Sequence, residues 1–192
     1  MPTGDVNRTD SVPRESLEDE LLAVRCQLGE RAAFDALIER WHGPLWQFAR
    51  RFTDSDDACG DVVQDIWLRV VRGIAALRDP ARLRAWIFGI ARRVVMDRLR
   101  AKYATPPMVD EAFDVGVDSD TSDLDEMIGL LRQELAWLPV VEREALVLFY
   151  LHELSIGELA EVLGVPVGTV KSRLFRARQL MRRRLSERGV QP

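Results

Sequence analysis

Between Gly164 and Leu185 the sequence gathers Lys171 and six arginines, Arg173, Arg176, Arg178, Arg182, Arg183 and Arg184, in a 192-residue chain whose formal net charge is −4. Laid out at about 100° per residue, Val167, Val170, Leu174, Ala177 and Met181 fall on one side of a helix. The other side carries Gly168, Lys171, Ser172, Phe175, Arg176 and Gln179, with Thr169 in the same first turn, and no acid appears before Glu187. A solvated face mixes both signs, whereas a face of one sign is the electrostatic footprint of phosphate binding. On such a helix the N-terminal residues reach base edges and the C-terminal ones meet only backbone or protein. Sequence preference is therefore expected from Lys171, Ser172, Phe175 and Arg176, and general affinity at most from Arg182, Arg183 and Arg184. Phe175 has two readings, contact with a thymine methyl or packing against a neighbouring helix.

The residues just upstream supply the element that positions this face. Ser155 and Glu158 have the S-x-x-E spacing of a capping box, Ile156, Leu159, Ala160 and Leu163 form an apolar stripe, and Gly164 ends it. A short helix, a tight glycine-containing turn and a second helix make a helix-turn-helix, the second helix being the one that enters the major groove.

The net charge conceals a partition into three segments. Arg82 to Lys102 holds seven bases against Asp97, Asp110 to Glu126 holds eight acids and no base, and Lys171 to Arg188 holds eight bases against Glu187. In the first segment Arg82, Arg84, Arg92 and Arg93 accompany Trp86 and Phe88, a combination suited to a single strand, since cations track its backbone and aromatics stack on unpaired bases. Leu83, Trp86, Ile87, Ile90 and Val94 also form a helical stripe, so Trp86 has a core reading as well. Asp61, Gln64 and Asp65, at i, i+3 and i+4, share a helix face that suits a basic partner or plain solvent.

Apolar residues recur at helical spacing almost throughout and never at a period of two, so the fold is expected to be all-α. The expected helices are Ser16 to Gly29, Arg31 to Gly43, Pro44 to Phe52, Asp61 to Leu77 and Ala81 to Lys102, followed after a gap by four more. The acidic stretch has paired prolines and few large apolar residues and reads as a flexible linker. The division is thus two small helical domains: a tail over 1–15, a first domain over 16–103, the linker over 104–123 and a helix-turn-helix domain over 124–192. No third, sensory domain is expected after Leu185. Cys26 and Cys59, like His42 and His152, complete no metal-ligand spacing or CxxC pair, so neither metal, cofactor nor disulfide is expected. The first 15 residues lack a signal-peptide core and no run spans a bilayer, so a cytoplasmic protein without membrane insertion is expected. With no nucleophile–base pair or phosphate loop, an enzyme is not expected.

LSIGELAEVLGVPVGTVKSRLFRAR, with DVVQDIWLRV and LRAWIFGIARRVVMDRLR in this order, resembles the extracytoplasmic-function (ECF) group of bacterial RNA polymerase sigma factors, and the likeness extends from Leu17 to about Leu185. It implies that the first domain binds core RNA polymerase through Asp61, Gln64 and Asp65. It further implies that Arg82, Arg84, Trp86, Arg92 and Arg93 help open promoter DNA near minus ten, the preceding loop, about Ile74 to Arg82, capturing a flipped base. The second domain would read the minus-thirty-five element, and an anti-sigma factor is an implied partner. Two positions depart from the family pattern: Cys59-Gly60 stands where Ala-Glu is usual, and Arg93 where Asn is usual. For the acidic linker, mimicry of a nucleic-acid backbone in a polymerase channel stands beside a solubilising spacer. A dimeric two-domain regulator reading a palindrome, and an adaptor binding only proteins, are the competing functions.

Overall fold

The computed structural model describes residues 14–104 and 133–187, and every regular element among them is helical. Of the expected tail over 1–15 and linker over 104–123, only Arg14, Glu15 and Ala104 are described, and these continue the adjoining helices instead, while the rest of both lies outside the described residues. In the first unit α1 (Arg14–Gln27), α2 (Arg31–Arg50), α3 (Asp56–Gly73) and α4 (Leu83–Ala104) pack in succession. In the second, α5 (Val140–Leu146), α6 (Ile156–Leu163) and α7 (Val167–Glu187) follow a helical stretch over 133–136.

α2 runs unbroken where the sequence suggests two helices meeting at Pro44. A proline inside a helix forfeits one hydrogen bond and crowds the carbonyl four residues back, at about 3 kcal/mol. The compensation is an apolar stripe that does not break at the proline: Ala33, Leu37, Trp41, Leu45 and Phe48 are all buried. Interrupting the helix would turn part of that stripe out of the core. Trp41 and Phe48 then meet Phe88 of α4 edge-on, at 5.9 and 5.8 Å between ring centres.

α3 begins earlier than the apolar pattern alone suggests, because Ser55 accepts a hydrogen bond from the Ala58 amide and caps it. Gly60 sits within this helix and Cys59 is buried beside it. Two short 3-10 turns, Ile74–Ala76 and Pro80–Arg82, connect α3 to α4, and the Gln27 amide donates to the carbonyls of Ile74 and Leu77 at 3.2 and 2.6 Å. Gly73 ends α3 against Trp86, where a β-carbon would come within 3.2 Å of the indole.

The capping box is formed as expected: the Glu158 amide donates to Ser155 Oγ at 3.2 Å, and the Ser155 amide to Glu158 Oε2 at 2.8 Å. Gly164 closes α6 in the left-handed region, at φ 64°, where a β-carbon would be strained. Replacing Ser155 with Ala should cost about 1 kcal/mol. A urea titration of the full chain followed by circular dichroism should show an earlier midpoint for the variant.

α5 does not continue as a regular helix. From Val147 to Leu151 the backbone widens into a π turn, with the His152 amide donating to the Val147 carbonyl five residues back. The apolar periodicity of residues 139–153 predicts one uninterrupted helix there, the second of the four expected after the gap, and the structure divides it. The wide turn leads to Glu153, at φ 52°, and sets the His152 side chain inward.

Candidate nucleic-acid interface

α6, the turn Gly164–Pro166 and α7 form the helix-turn-helix. Along α7, Val170, Leu174 and Ala177 are buried against the unit, Met181 is half-buried, and Val167 is exposed. The exposure of Val167 departs from the expected core stripe, because the helix has only just begun there and no neighbouring turn covers it. Opposite the buried stripe, Gly168, Lys171, Ser172, Phe175, Arg176 and Gln179 are exposed and Thr169 is half-buried at the edge. Ser172 donates its hydroxyl to the Thr169 carbonyl at 2.8 Å, which holds it within the first turns. Phe175 is 56% exposed, so packing against a neighbouring helix does not account for it.

The cations of α7 are not equivalent. Arg176 lies 3.7 Å from Glu142, a long contact that a competing phosphate or base can displace. Arg184 is held at 2.8 Å by Glu134, whose carboxylate is buried, and its guanidinium lies 4.2 Å over the Trp137 ring. It therefore fastens α7 to the start of the second unit, a role the sequence reading did not separate from those of Arg182 and Arg183.

The basic face of α4 divides differently from the expectation. Leu83, Ile87, Ile90 and Val94 are buried as a stripe, Trp86 packs half-buried against them, and Phe88 is fully in the core. Phe88 is thus withdrawn from solvent, while Arg82 and Arg93 are exposed and Arg84 and Arg92 half-buried. Arg92 pairs with Glu144 of α5, only 1% exposed, whose carboxyl is pushed above the usual carboxylate range by burial, with Arg92 opposing that shift. Arg84 donates to the His152 carbonyl, and Arg82 lies 3.1 Å from Glu161 of α6. These cross-unit partners carry no signal in the sequence.

On α3, Asp61, Gln64 and Asp65 are exposed on one face, which Leu68 extends by a further turn. Arg98 of α4 approaches Asp61 at 3.6 Å. Among the described residues no group of acids, cysteines and histidines is arranged to hold a metal ion, and no helix is long and apolar enough to cross a membrane.

Comparison with known proteins places both units. A family model described as Sigma-70 region 2 matches residues 37–105, and one described as Sigma-70, region 4 matches 128–181. An ECF RNA polymerase sigma-E factor of Haemophilus influenzae is 31% identical, covering 93% of this chain and 98% of its own. The ECF RNA polymerase sigma factor SigM of Mycobacterium tuberculosis is 36% identical over 89% of this chain and 86% of its own. In three dimensions the chain is similar to CnrH, solved in complex with the cytosolic domain of CnrY, with a TM-score of 0.68, 27% identity and coverage of 88% of this chain and 97% of that one. It shares its fold with the sigma factor RpoE of Bartonella quintana, solved with the anti-sigma factor NepR, at a TM-score of 0.65, 23% identity and coverage of 80% and 96%. An end-to-end likeness of this kind, carried by both units in the same order, means that the chain belongs to the ECF RNA polymerase sigma factors.

Proposed function

We propose that the chain is a promoter-specificity subunit: it binds core RNA polymerase, recognises promoter DNA through α7 and promotes strand opening through α4. The observation that carries this is the exposed, single-signed face of α7 on a capped helix-turn-helix, backed by a buried apolar stripe. Such a face suits phosphates and base edges and has no use in an adaptor that binds only proteins. Nucleotide addition belongs to the core enzyme, so this chain supplies specificity without catalysis of its own. In the division proposed here, residues 16–103 hold the core-binding and minus-ten functions, and 124–192 read the minus-thirty-five element. The complex of the Bartonella sigma factor, which has the same fold, with the anti-sigma factor NepR supports an anti-sigma factor as a third partner.

Run-off transcription with purified core polymerase tests the reading: transcript should appear from a cognate promoter only when the chain is added. Asp61→Arg should weaken core association about tenfold, the size of one charged interface contact of about 1.4 kcal/mol. Its circular dichroism should stay helical. Unchanged association would remove Asp61 from the contact, and transcription that does not depend on the chain would overturn the function.

A further inference from the structure

The loop between α3 and α4 is fastened from α1 by one side chain. Gln27, the last residue of α1, donates its amide to the Ile74 carbonyl at 3.2 Å and to the Leu77 carbonyl at 2.6 Å, 47 and 50 positions farther along the chain. A primary amide has two N–H donors, so both are used. The two carbonyls open and close one 3-10 turn, for the Leu77 amide donates to the Ile74 carbonyl as well, at 3.1 Å. A carbonyl oxygen has room for both bonds.

The rest of the loop hangs on this turn. Ile74 and Leu77 are buried, whereas Ala76, Arg78, Asp79 and Arg82 are exposed. Leu77 and Asp79 are extended, and the Asp79 carboxylate caps the second turn by accepting from the Ala81 amide at 3.2 Å. Gln27 is a firm anchor: Ala23 and Cys26 beside it are buried, Gly29 turns the chain at φ 79° just after it, and α1 packs against both 3-10 turns. Position 27 lies outside the stretch 37–105 that matches Sigma-70 region 2, and no spacing in the sequence marks it.

We propose that Gln27 is a positioning residue for promoter recognition: its two hydrogen bonds set the shape in which the loop over 74–82 receives a minus-ten base. The proposal rests on the minus-ten reading of the first unit, and of this loop, given above. A loop that orders only on binding loses affinity to that ordering, and its looser pocket accepts more than one base. Ordered beforehand, it keeps the contacts that differ between bases at fixed distances and discriminates more sharply. Gln27 acts through the Ile74 and Leu77 backbone and not by touching the nucleic acid.

Gln27→Met and Gln27→Glu test it, both close to glutamine in length: methionine removes the donors, and glutamate sets a carboxylate against two carbonyl oxygens. Two readouts by NMR in the full chain are independent of function. The side-chain amide protons of Gln27 should exchange with solvent about tenfold more slowly than those of the exposed Gln64. The Leu77 backbone amide should exchange about tenfold faster in Gln27→Met than in the wild-type chain, with the amides of α2 unchanged. Equal rates for Gln27 and Gln64, or a Leu77 amide indifferent to the substitution, would overturn the positioning. The third readout is binding to single-stranded minus-ten oligonucleotides carrying each of the four bases in turn at successive positions. The wild-type chain should prefer one base at the captured position, and both variants should lower that preference about tenfold there alone. Uniform weakening on every oligonucleotide would reduce Gln27 to a stabilising residue and overturn the proposal. Duplex binding through α7 is the control: unchanged, it places the effect in the loop, whereas a parallel loss would overturn it. A wild-type chain without a preferred base at any position would instead overturn the minus-ten reading of the loop, and the role of Gln27 in recognition with it, even where exchange shows the loop held.

Discussion

Lowering the pH from 7 to 5 should weaken the packing of the second unit against the first about 20-fold, about 2 kcal/mol, through His152 alone. With the two units apart His152 meets water, where a histidine titrates near 6.5. Between the packed units burial, then the charges of Arg84 and Arg51, hold it down at about 4. The packing therefore requires neutral imidazole: this contribution is at full strength above pH 6.5 and is lost progressively as the pH falls from 6.5 towards 4. The groups around the ring reinforce this, since Phe48 and Phe88 offer no acceptor, Arg51 and Arg84 repel an imidazolium, and Nε2 has no hydrogen-bond partner among the described residues. Glu144 acts with the opposite sign, because its raised carboxyl favours the packing as the pH falls into the carboxylate range. His152→Gln separates the two: it should remove the loss between pH 7 and 5 and leave the Glu144 contribution. The distance between spin labels on Glu39→Cys and Ser186→Cys, both exposed positions, is the measurement in the full chain, and a wild-type distance that does not change between these pH values would dissociate His152 from the packing of the units.

Replacing Arg176 with Ala should cost about 1–3 kcal/mol on the preferred upstream element and relax discrimination at one base pair. The residue is exposed on the reading face, and Glu142, its ion-pair partner among the described residues, lies 3.7 Å away, so little holds it back from a bidentate guanine contact. Arg183, farther along α7 and paired with Glu187 at 3.1 Å, should instead weaken all sequences alike when replaced. Binding of both variants to a panel of single-base changes distinguishes these roles. Equal weakening by Arg176→Ala across the panel would make that residue a phosphate clamp.

The helices were legible because their causes are local. Ser155, Glu158 and Gly164 bound α6 by chemistry acting over a few residues, and the stripe through Val170, Leu174 and Ala177 fixes which face of α7 remains outside. Pro44 misled for the same reason: the local penalty is plain in the sequence, whereas the core contact of Trp41 and Phe48 with Phe88 that outweighs it joins residues some forty positions apart. Phe88 and Arg92 show the limit most clearly. Charge and aromaticity on α4 look alike whether they face a nucleic acid or the second unit, and only the fold brings Phe88 to His152 and Arg92 to Glu144. The two clusters of positive charge thus have different fates, one open to solvent on α7 and one partly covered.

The π turn at Val147–Leu151 ties this covering to chain length. A widened turn accommodates one residue more than an α-helical turn would, and it is this surplus that brings His152 round to Phe88 while its amide still finds the Val147 carbonyl. Deleting a single residue from the turn would restore the ordinary helical repeat and swing position 152 by about 100°, about the angle between successive residues. Composition would hardly change, and neither would the apolar content of the segment. The register between the two units is thus written as a count of residues, which makes it sensitive to an insertion or deletion at a place where most side-chain substitutions leave it intact.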